Sequence, residues 1–144
     1  MTAMADDPPA SPVRINVLLV EDSPMQRLNA AEGLRAMGFH VVEVPGIDEA
    51  IKALNQDGFD VMISDVDLVG ESMTGFLLAK AVAARWPEVA ILVVSGMTEP
   101  ASDQLPAGAQ FLAKPYTERQ LTNAVLSLMD SRADDAGEML DDLP

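Results

Sequence analysis

The chain has 144 residues, a formal net charge of −14 and no cysteine, and 49% of its residues are hydrophobic. This length supports one domain built around a single hydrophobic core. The lack of cysteine excludes disulfides, thiolate metal sites and cysteine nucleophiles, and the acidic charge argues against nucleic-acid binding, which requires a basic surface.

The two ends of the chain are predicted to lie outside the folded domain. Residues 1–13 are rich in proline and small residues, and residues 132–144 are rich in acids. We therefore expect a disordered leader over 1–13, a folded domain over 14–131 and an acidic, disordered tail over 132–144. The acidic start does not resemble a secretory signal, and no apolar run could span a membrane, so the sequence predicts a cytoplasmic protein without membrane contacts.

Between the ends, strand-like and helix-like segments alternate. Short runs of β-branched residues and leucine are typical of strands buried on both faces, and they occur at Ile15–Val20, Val41–Val44, Asp60–Ser64, Val89–Val94 and Ala109–Ala113. Helical patterns follow the first, second, third and fifth of these runs. Two prolines interrupt the stretch 96–108, so any fourth helix there is predicted to be short or irregular, around Ser102–Leu105. The alternation predicts an α/β fold with a parallel sheet covered by helices on both faces.

Two of the predicted helices begin with the same capping motif. In Ser23-Pro24-Met25-Gln26, serine is the N-cap, proline takes the first helical position, and glutamine can return a hydrogen bond to the serine amide. Thr117 and Gln120 have the same spacing before the last helix. The sequence therefore predicts a complete capping box at both helix starts.

Polar side chains stand at the carboxyl ends of several predicted strands, where open parallel sheets bind their ligands. Glu21 and Asp22 follow the first strand, Asp65 follows the third, Ser95 follows the fourth, and Lys114 follows the fifth. If these strands are neighbours, three carboxylates crowd together and require a cation, and hard oxygen ligands suit Mg²⁺. One carboxylate could then attack a phosphoryl group, with the ammonium and hydroxyl groups stabilising the transition state. Spacing alone does not identify which carboxylate is the nucleophile.

Four segments in chain order, each at a predicted strand end, resemble the receiver domain of bacterial response regulators over about residues 15–130. These segments are Val17–Asp22, Phe59–Asp65, Val93–Gly96 and Phe111–Tyr116. The resemblance implies a flavodoxin-like three-layer sandwich whose five-stranded parallel sheet has the order 2-1-3-4-5.

The resemblance also implies roles at the metal and phosphoryl site. Asp65 would be the phosphoacceptor. Mg²⁺ or Mn²⁺ would be held by Glu21, Asp22 and Asp65 together with the backbone carbonyl of Asp67. Lys114 would contact the phosphoryl group.

Further implied features concern signalling. Ser95 would contact the phosphoryl group and form a switch together with Phe111, and the peptide bond before Pro115 would be cis. The phosphodonor would be a histidine kinase or a histidine phosphotransfer protein. Because no output domain follows, the resemblance implies a single-domain regulator that acts on an unknown protein target and catalyses only its own phosphorylation and dephosphorylation.

The chain departs from the family pattern after Asp65. Val69 replaces the usual proline, and Gly75 lies ten residues after Asp65 rather than eight. Two other functions stay open: a receiver-like scaffold that takes no phosphate, and an aspartyl-phosphate phosphatase, which the D-x-D spacing of Asp65 and Asp67 resembles. His40 is the only histidine and is predicted to be structural, so the chain is not itself the histidine kinase.

Overall fold

The computed structural model describes residues 14–66, 75–96 and 105–141, with side chains described as far as Arg132. Within these ranges the strands are β1 (Asn16–Val20), β2 (His40–Val44), β3 (Val61–Asp65), β4 (Ala90–Ser95) and β5 (Gln110–Ala113). The helices in the same ranges are α1 (Pro24–Ala36), α2 (Ile47–Gln56), α3 (Gly75–Arg85) and α4 (Glu118–Asp141). Every predicted strand boundary lies within one residue of the observed boundary. Over the described ranges, none of the helices combines the length and the apolar character needed to cross a membrane.

The five strands form one parallel sheet in the order β2-β1-β3-β4-β5, which is the order that the resemblance implied. Val20 pairs with Val44 on one side and with Ser64 on the other. Asp65 pairs with Val94, and Ser95 pairs with Ala113. The carboxyl ends of the strands are therefore aligned along one edge of a flavodoxin-like fold, so side chains that follow the strands share that edge.

The core consists of two apolar layers, one on each face of the sheet. Adjacent strand residues alternate between them, so that Leu19 packs with α1 and α4 whereas Leu18 packs with α2 and α3. Both leucines are essentially inaccessible to solvent. Burial of one such side chain contributes about 1.5–3 kcal/mol. The sheet that carries the strand ends is thus held firmly from both sides.

The two predicted capping boxes have different outcomes. At α4 the box is complete: the Thr117 amide donates to Gln120 Oε1 at 2.8 Å, and the Gln120 amide donates to Thr117 Oγ1 at 3.0 Å. At α1 the Gln26 amide donates to Ser23 Oγ at 3.3 Å, but the Ser23 amide donates instead to Glu21 Oε2 at 3.1 Å. The prediction of a second complete box was therefore wrong, since a carboxylate takes the place of the glutamine.

The last helix is longer than the sequence predicted. Helix α4 extends to Asp141, whereas residues 132–144 were expected to be a disordered tail. Residues 132–141 contain one glycine and no proline, and their alanine, glutamate, methionine and leucine favour helix. The helix therefore continues into a segment whose expected disorder rested on the acidic charge alone. The limits of the domain stay a prediction.

Several other expectations concern the undescribed parts of the chain. The leader 1–13 lies outside the described residues, as do residues 97–104, which hold most of the short helix expected around Ser102–Leu105. Residues 105–109, the described part of this connection, contain a turn and no helix.

The amino ends of the strands carry the single tryptophan, Trp86, directly after α3. Its amide donates to the Val82 carbonyl at 2.7 Å, and its own carbonyl accepts from the Val89 amide at 3.0 Å. The Arg85 guanidinium lies 4.6 Å from the centre of the indole ring. These contacts close the turn between α3 and β4 at the end of the sheet remote from the strand-end carboxylates.

Candidate functional site

Three carboxylates meet at the carboxyl edge of the sheet. Asp65 is the last residue of β3, and Glu21 and Asp22 directly follow β1, the neighbouring strand. One oxygen from each of the three side chains lies within 4.8 Å of the other two. Only 3% of Asp65 and 5% of Glu21 is exposed, so the cluster is largely removed from water. The structure thus brings together the three acids that the sequence predicted.

The ammonium group of Lys114 closes this cluster. Its Nζ donates to Asp65 Oδ2 at 2.8 Å, to Glu21 Oε1 at 3.1 Å and to Gln26 Oε1 at 2.8 Å. An ammonium group has three N–H donors, so these three acceptors use all of them. The lysine was predicted to lie here, but its contact with Gln26 was not.

The other predicted site residues are Ser95, Phe111, Pro115 and Asp67. Ser95 ends β4 and is buried, and its carbonyl accepts from the Lys114 amide at 2.8 Å. Phe111 is half-buried and packs against the core layer of α2 and α3. The Lys114–Pro115 peptide bond is cis. Asp67 lies outside the described residues, so its backbone ligand stays a prediction.

The electrostatics of the cluster follow from burial and from like charge. Burial raises the pKa of Glu21, and the Asp65 charge raises it further, although the Ser23 amide and Lys114 oppose both effects. Burial alone would lower the pKa of Lys114, but its hydrogen bonds and ion pairs with Asp65 and Glu21 raise it overall. The lysine is therefore charged at neutral pH, and its ammonium contacts two of the three acids, Asp65 and Glu21.

This donor set fits a hard divalent cation. All three ligands offer carboxylate oxygens, which Mg²⁺ and Mn²⁺ prefer over softer ligands. Burial and the Asp65 charge disfavour the ionised form of Glu21, so a second positive charge at the same place would favour ionisation of the acids. Glu21, Asp22 and Asp65 are the side chains that would hold it.

Arg27 contacts the backbone of the acidic pair, Glu21 and Asp22, and the sequence analysis did not predict this role. Arg27 Nη1 donates to the Glu21 carbonyl at 2.8 Å, and its Nε lies 3.8 Å from Glu43 Oε1 in β2. Arg35 holds the other oxygen of Glu43 at 2.7 Å. The only available signal was that Arg27 falls in the first turn of the helix that follows the acidic pair.

Gly75, at the start of α3, lies against the backbone that follows the phosphoacceptor candidate. A Cβ atom at this position would clash with the Cα of Val66 and lie 2.9 Å from the carbonyl oxygen of Asp65. Only glycine permits so close an approach of two backbone segments. The sequence pattern indicated Gly75 only by its distance from Asp65, and this contact was not predicted.

A groove of about 530 Å³ opens beside Lys114, between α1 and α4. Gln26 and Asn29 of α1 line one side, Leu121 of α4 lines the other, and Tyr116 is also part of the wall. Burial raises the pKa of the Tyr116 hydroxyl, so it stays protonated at neutral pH. The site is therefore open to the groove next to Lys114.

Comparison with known proteins agrees with this arrangement. The model of the family described as "Response regulator receiver domain" matches residues 17–126. The sensor kinase CckA of Brucella abortus is 32% identical over 81% of this chain, and the sensor protein GacS of Pseudomonas syringae is 33% identical over 83%. The chain spans only 13% and 14% of the lengths of these two relatives.

A solved structure of full domain length is similar as well. The chemotaxis response regulator CheY4 of Vibrio cholerae is 30% identical to this chain, with a TM-score of 0.71. The match covers 80% of this chain and 98% of that structure. The fold, the strand-end residues and these matches agree, and the chain belongs to the response regulator receiver domain family.

Proposed function

We propose that this protein is a single-domain response regulator that accepts a phosphoryl group on Asp65 from a phosphohistidine, with Mg²⁺ bound beside it. Receiver domains are signalling phosphoacceptors, generally bind Mg²⁺ and interact with histidine kinases. The observation that carries the proposal is the contact of 2.8 Å between Asp65 Oδ2 and Lys114 Nζ inside the carboxylate cluster. A buried aspartate that faces an ammonium and two further acids has the surroundings that phosphoryl transfer requires.

The proposed reaction is a direct transfer between two side chains. A carboxylate oxygen of Asp65 forms a bond to phosphorus, the bond between phosphorus and the donor imidazole nitrogen breaks, and that nitrogen takes a proton from solvent. Lys114 neutralises charge on the phosphoryl oxygens. The divalent cation, when bound, supplies further neutralisation and orients the phosphoryl group.

The roles of the remaining site residues belong to the same proposal. Glu21, Asp22 and the backbone carbonyl of Asp67 complete the cation site with Asp65. Ser95 contacts the phosphoryl group after transfer, and Phe111 changes position with it. The phosphorylated surface then binds a protein target or passes the phosphoryl group onward. The donor is a histidine kinase or a histidine phosphotransfer protein.

The test is incubation with acetyl phosphate and Mg²⁺, read by intact mass. We expect one added phosphoryl group of about 80 Da, lost in Asp65→Asn and retained in Asp67→Asn. The Asp67 variant is a matched control because it removes one carboxylate charge only two residues along the chain.

Other results would overturn the proposal. Absence of the added mass, together with unchanged amide resonances around Asp65 in Mg²⁺ and beryllofluoride, would instead indicate a scaffold that takes no phosphate. Turnover of a small phosphate ester that needs both Asp65 and Asp67 would indicate a phosphatase.

A further inference from the structure

We infer that Gln26 is a positioning residue for phosphoryl transfer, because its side-chain carbonyl holds the ammonium group of Lys114 over Asp65. This inference rests on the proposed function. It assigns a role to a residue that the sequence pattern indicated only as part of a helix cap.

The two capping motifs of the chain provide the first argument. Gln120 uses its side chain to close the box at Thr117, with Oε1 2.8 Å from the Thr117 amide. Gln26 has the same spacing from Ser23, yet its Oε1 accepts from Lys114 Nζ at 2.8 Å. At the start of α1, Glu21 takes the place that Gln26 would have in the box, because its Oε2 accepts from the Ser23 amide. The glutamine of α1 therefore bonds across 88 residues to the site, while its counterpart on α4 bonds locally.

The charges of the three lysine acceptors provide the second argument. Asp65 and Glu21 are carboxylates, and both belong to the group that would hold the cation. Once a cation and a phosphoryl group are bound, the oxygens of Asp65 and Glu21 interact with these new partners as well as with Lys114. Gln26 is uncharged, so it does not compete for the cation and can keep its hydrogen bond to Lys114. It is the acceptor whose contact with the lysine the reaction leaves unchanged.

The surroundings explain why such an acceptor matters. Lysine carries its charge on a flexible four-carbon stem, and the groove beside Lys114 offers open space on the side of α1. The exposed side chain of Gln26 lines this groove, and its backbone amide donates to the Ser23 N-cap at 3.3 Å, which holds its backbone at the start of α1. Without the amide oxygen, the ammonium can turn into the groove, and transfer slows because the charge is no longer held in position.

The test compares Gln26→Met with Asn29→Leu. Methionine has nearly the length and helix propensity of glutamine but offers no oxygen acceptor. Asn29 lines the same groove from the same helix, and within the described part of the chain its side chain makes no hydrogen bond. We expect Gln26→Met to slow phosphoryl incorporation from acetyl phosphate about 3- to 10-fold at saturating Mg²⁺, and Asn29→Leu to change it less than about twofold. Neither side chain belongs to the group of acids that would hold the cation, so the Mg²⁺ dissociation constant should change less than about twofold in both variants.

A second background separates positioning from a merely structural effect. If Gln26 acts through the lysine, Gln26→Met should slow incorporation no further in Lys114→Ala protein, whose slow reaction is followed by intact mass over hours. Equal slowing in both backgrounds, or a wild-type rate for Gln26→Met alone, would overturn the inference and leave the proposed function standing. Absence of any added mass on the wild-type chain would overturn both.

Discussion

The strongest physical prediction concerns the repulsion within the carboxylate cluster, probed by Asp22→Asn in metal-free protein. Two unit charges 4.8 Å apart repel by about 3.5 kcal/mol at an effective dielectric constant of about 20. Asparagine removes the charge of Asp22, so two such repulsions disappear, while the side chain keeps its shape and much of its capacity to hydrogen bond. Asp22 is only half-buried, and solvent and salt screen the effect. We therefore expect the metal-free variant to be about 1–2 kcal/mol more stable than the wild type.

Thermal unfolding followed by circular dichroism, with and without Mg²⁺, measures both parts of this prediction. Without metal, Asp22→Asn should raise the midpoint by about 3–6 °C. Mg²⁺ at ten times its dissociation constant should stabilise the wild type by about 1.4 kcal/mol and the variant much less, because a ligand is lost.

The control and the refuting result complete this experiment. Asp57→Asn removes an exposed charge that follows α2, at the opposite end of β3. It should change neither the stability of the metal-free protein nor the stabilisation by Mg²⁺ by more than about 0.5 kcal/mol. If Asp22→Asn destabilised the metal-free protein, or if Mg²⁺ stabilised it as strongly as the wild type, the acids would not share one cation site.

Two further predictions concern the frame of the site. Gly75→Ala should destabilise the protein by more than about 1 kcal/mol in urea unfolding and slow phosphoryl incorporation, because the new Cβ displaces Val66 next to Asp65. The control is Gly58→Ala, where a Cβ has open space, and this variant should keep both its stability and its rate of phosphoryl incorporation. Ser64→Ala should raise stability by about 1 kcal/mol, because the Ser64 hydroxyl is fully buried and finds no hydrogen-bond partner among the described residues. A loss of stability in urea would show that the hydroxyl is satisfied after all.

The sheet and the meeting of the acids could be predicted from the sequence because both depend on local patterns. Runs such as Val89–Val94 are too apolar to be anything but buried, and parallel strands align their carboxyl ends. Once the strand order is known, Glu21, Asp22, Asp65 and Lys114 must share one edge. These contacts follow from topology and require no knowledge of side-chain conformation.

The features that the sequence did not predict depend on contacts or preferences that one local pattern does not decide. Gln26 could bond either to Ser23 or to Lys114, and spacing favours the first while the folded protein uses the second. The same holds for the end of α4, where acidic charge suggested disorder but helix-forming residues continue the helix to Asp141. The close approach of Gly75 depends on how α3 packs against the end of β3, which no pattern within one segment encodes.

The position of Trp86 determines what optical spectroscopy can report. This residue is the single indole of the chain, and it lies at the amino ends of the strands, with the whole length of the sheet between it and the carboxylates. The fluorescence emission of Trp86 will change when the turn after α3 unfolds, so it reports unfolding. Binding of an ion at Asp65 will change this emission very little. A fluorescence titration with Mg²⁺ that shows no change is therefore no evidence against binding. A tryptophan introduced near the groove would be needed to detect cation binding by fluorescence.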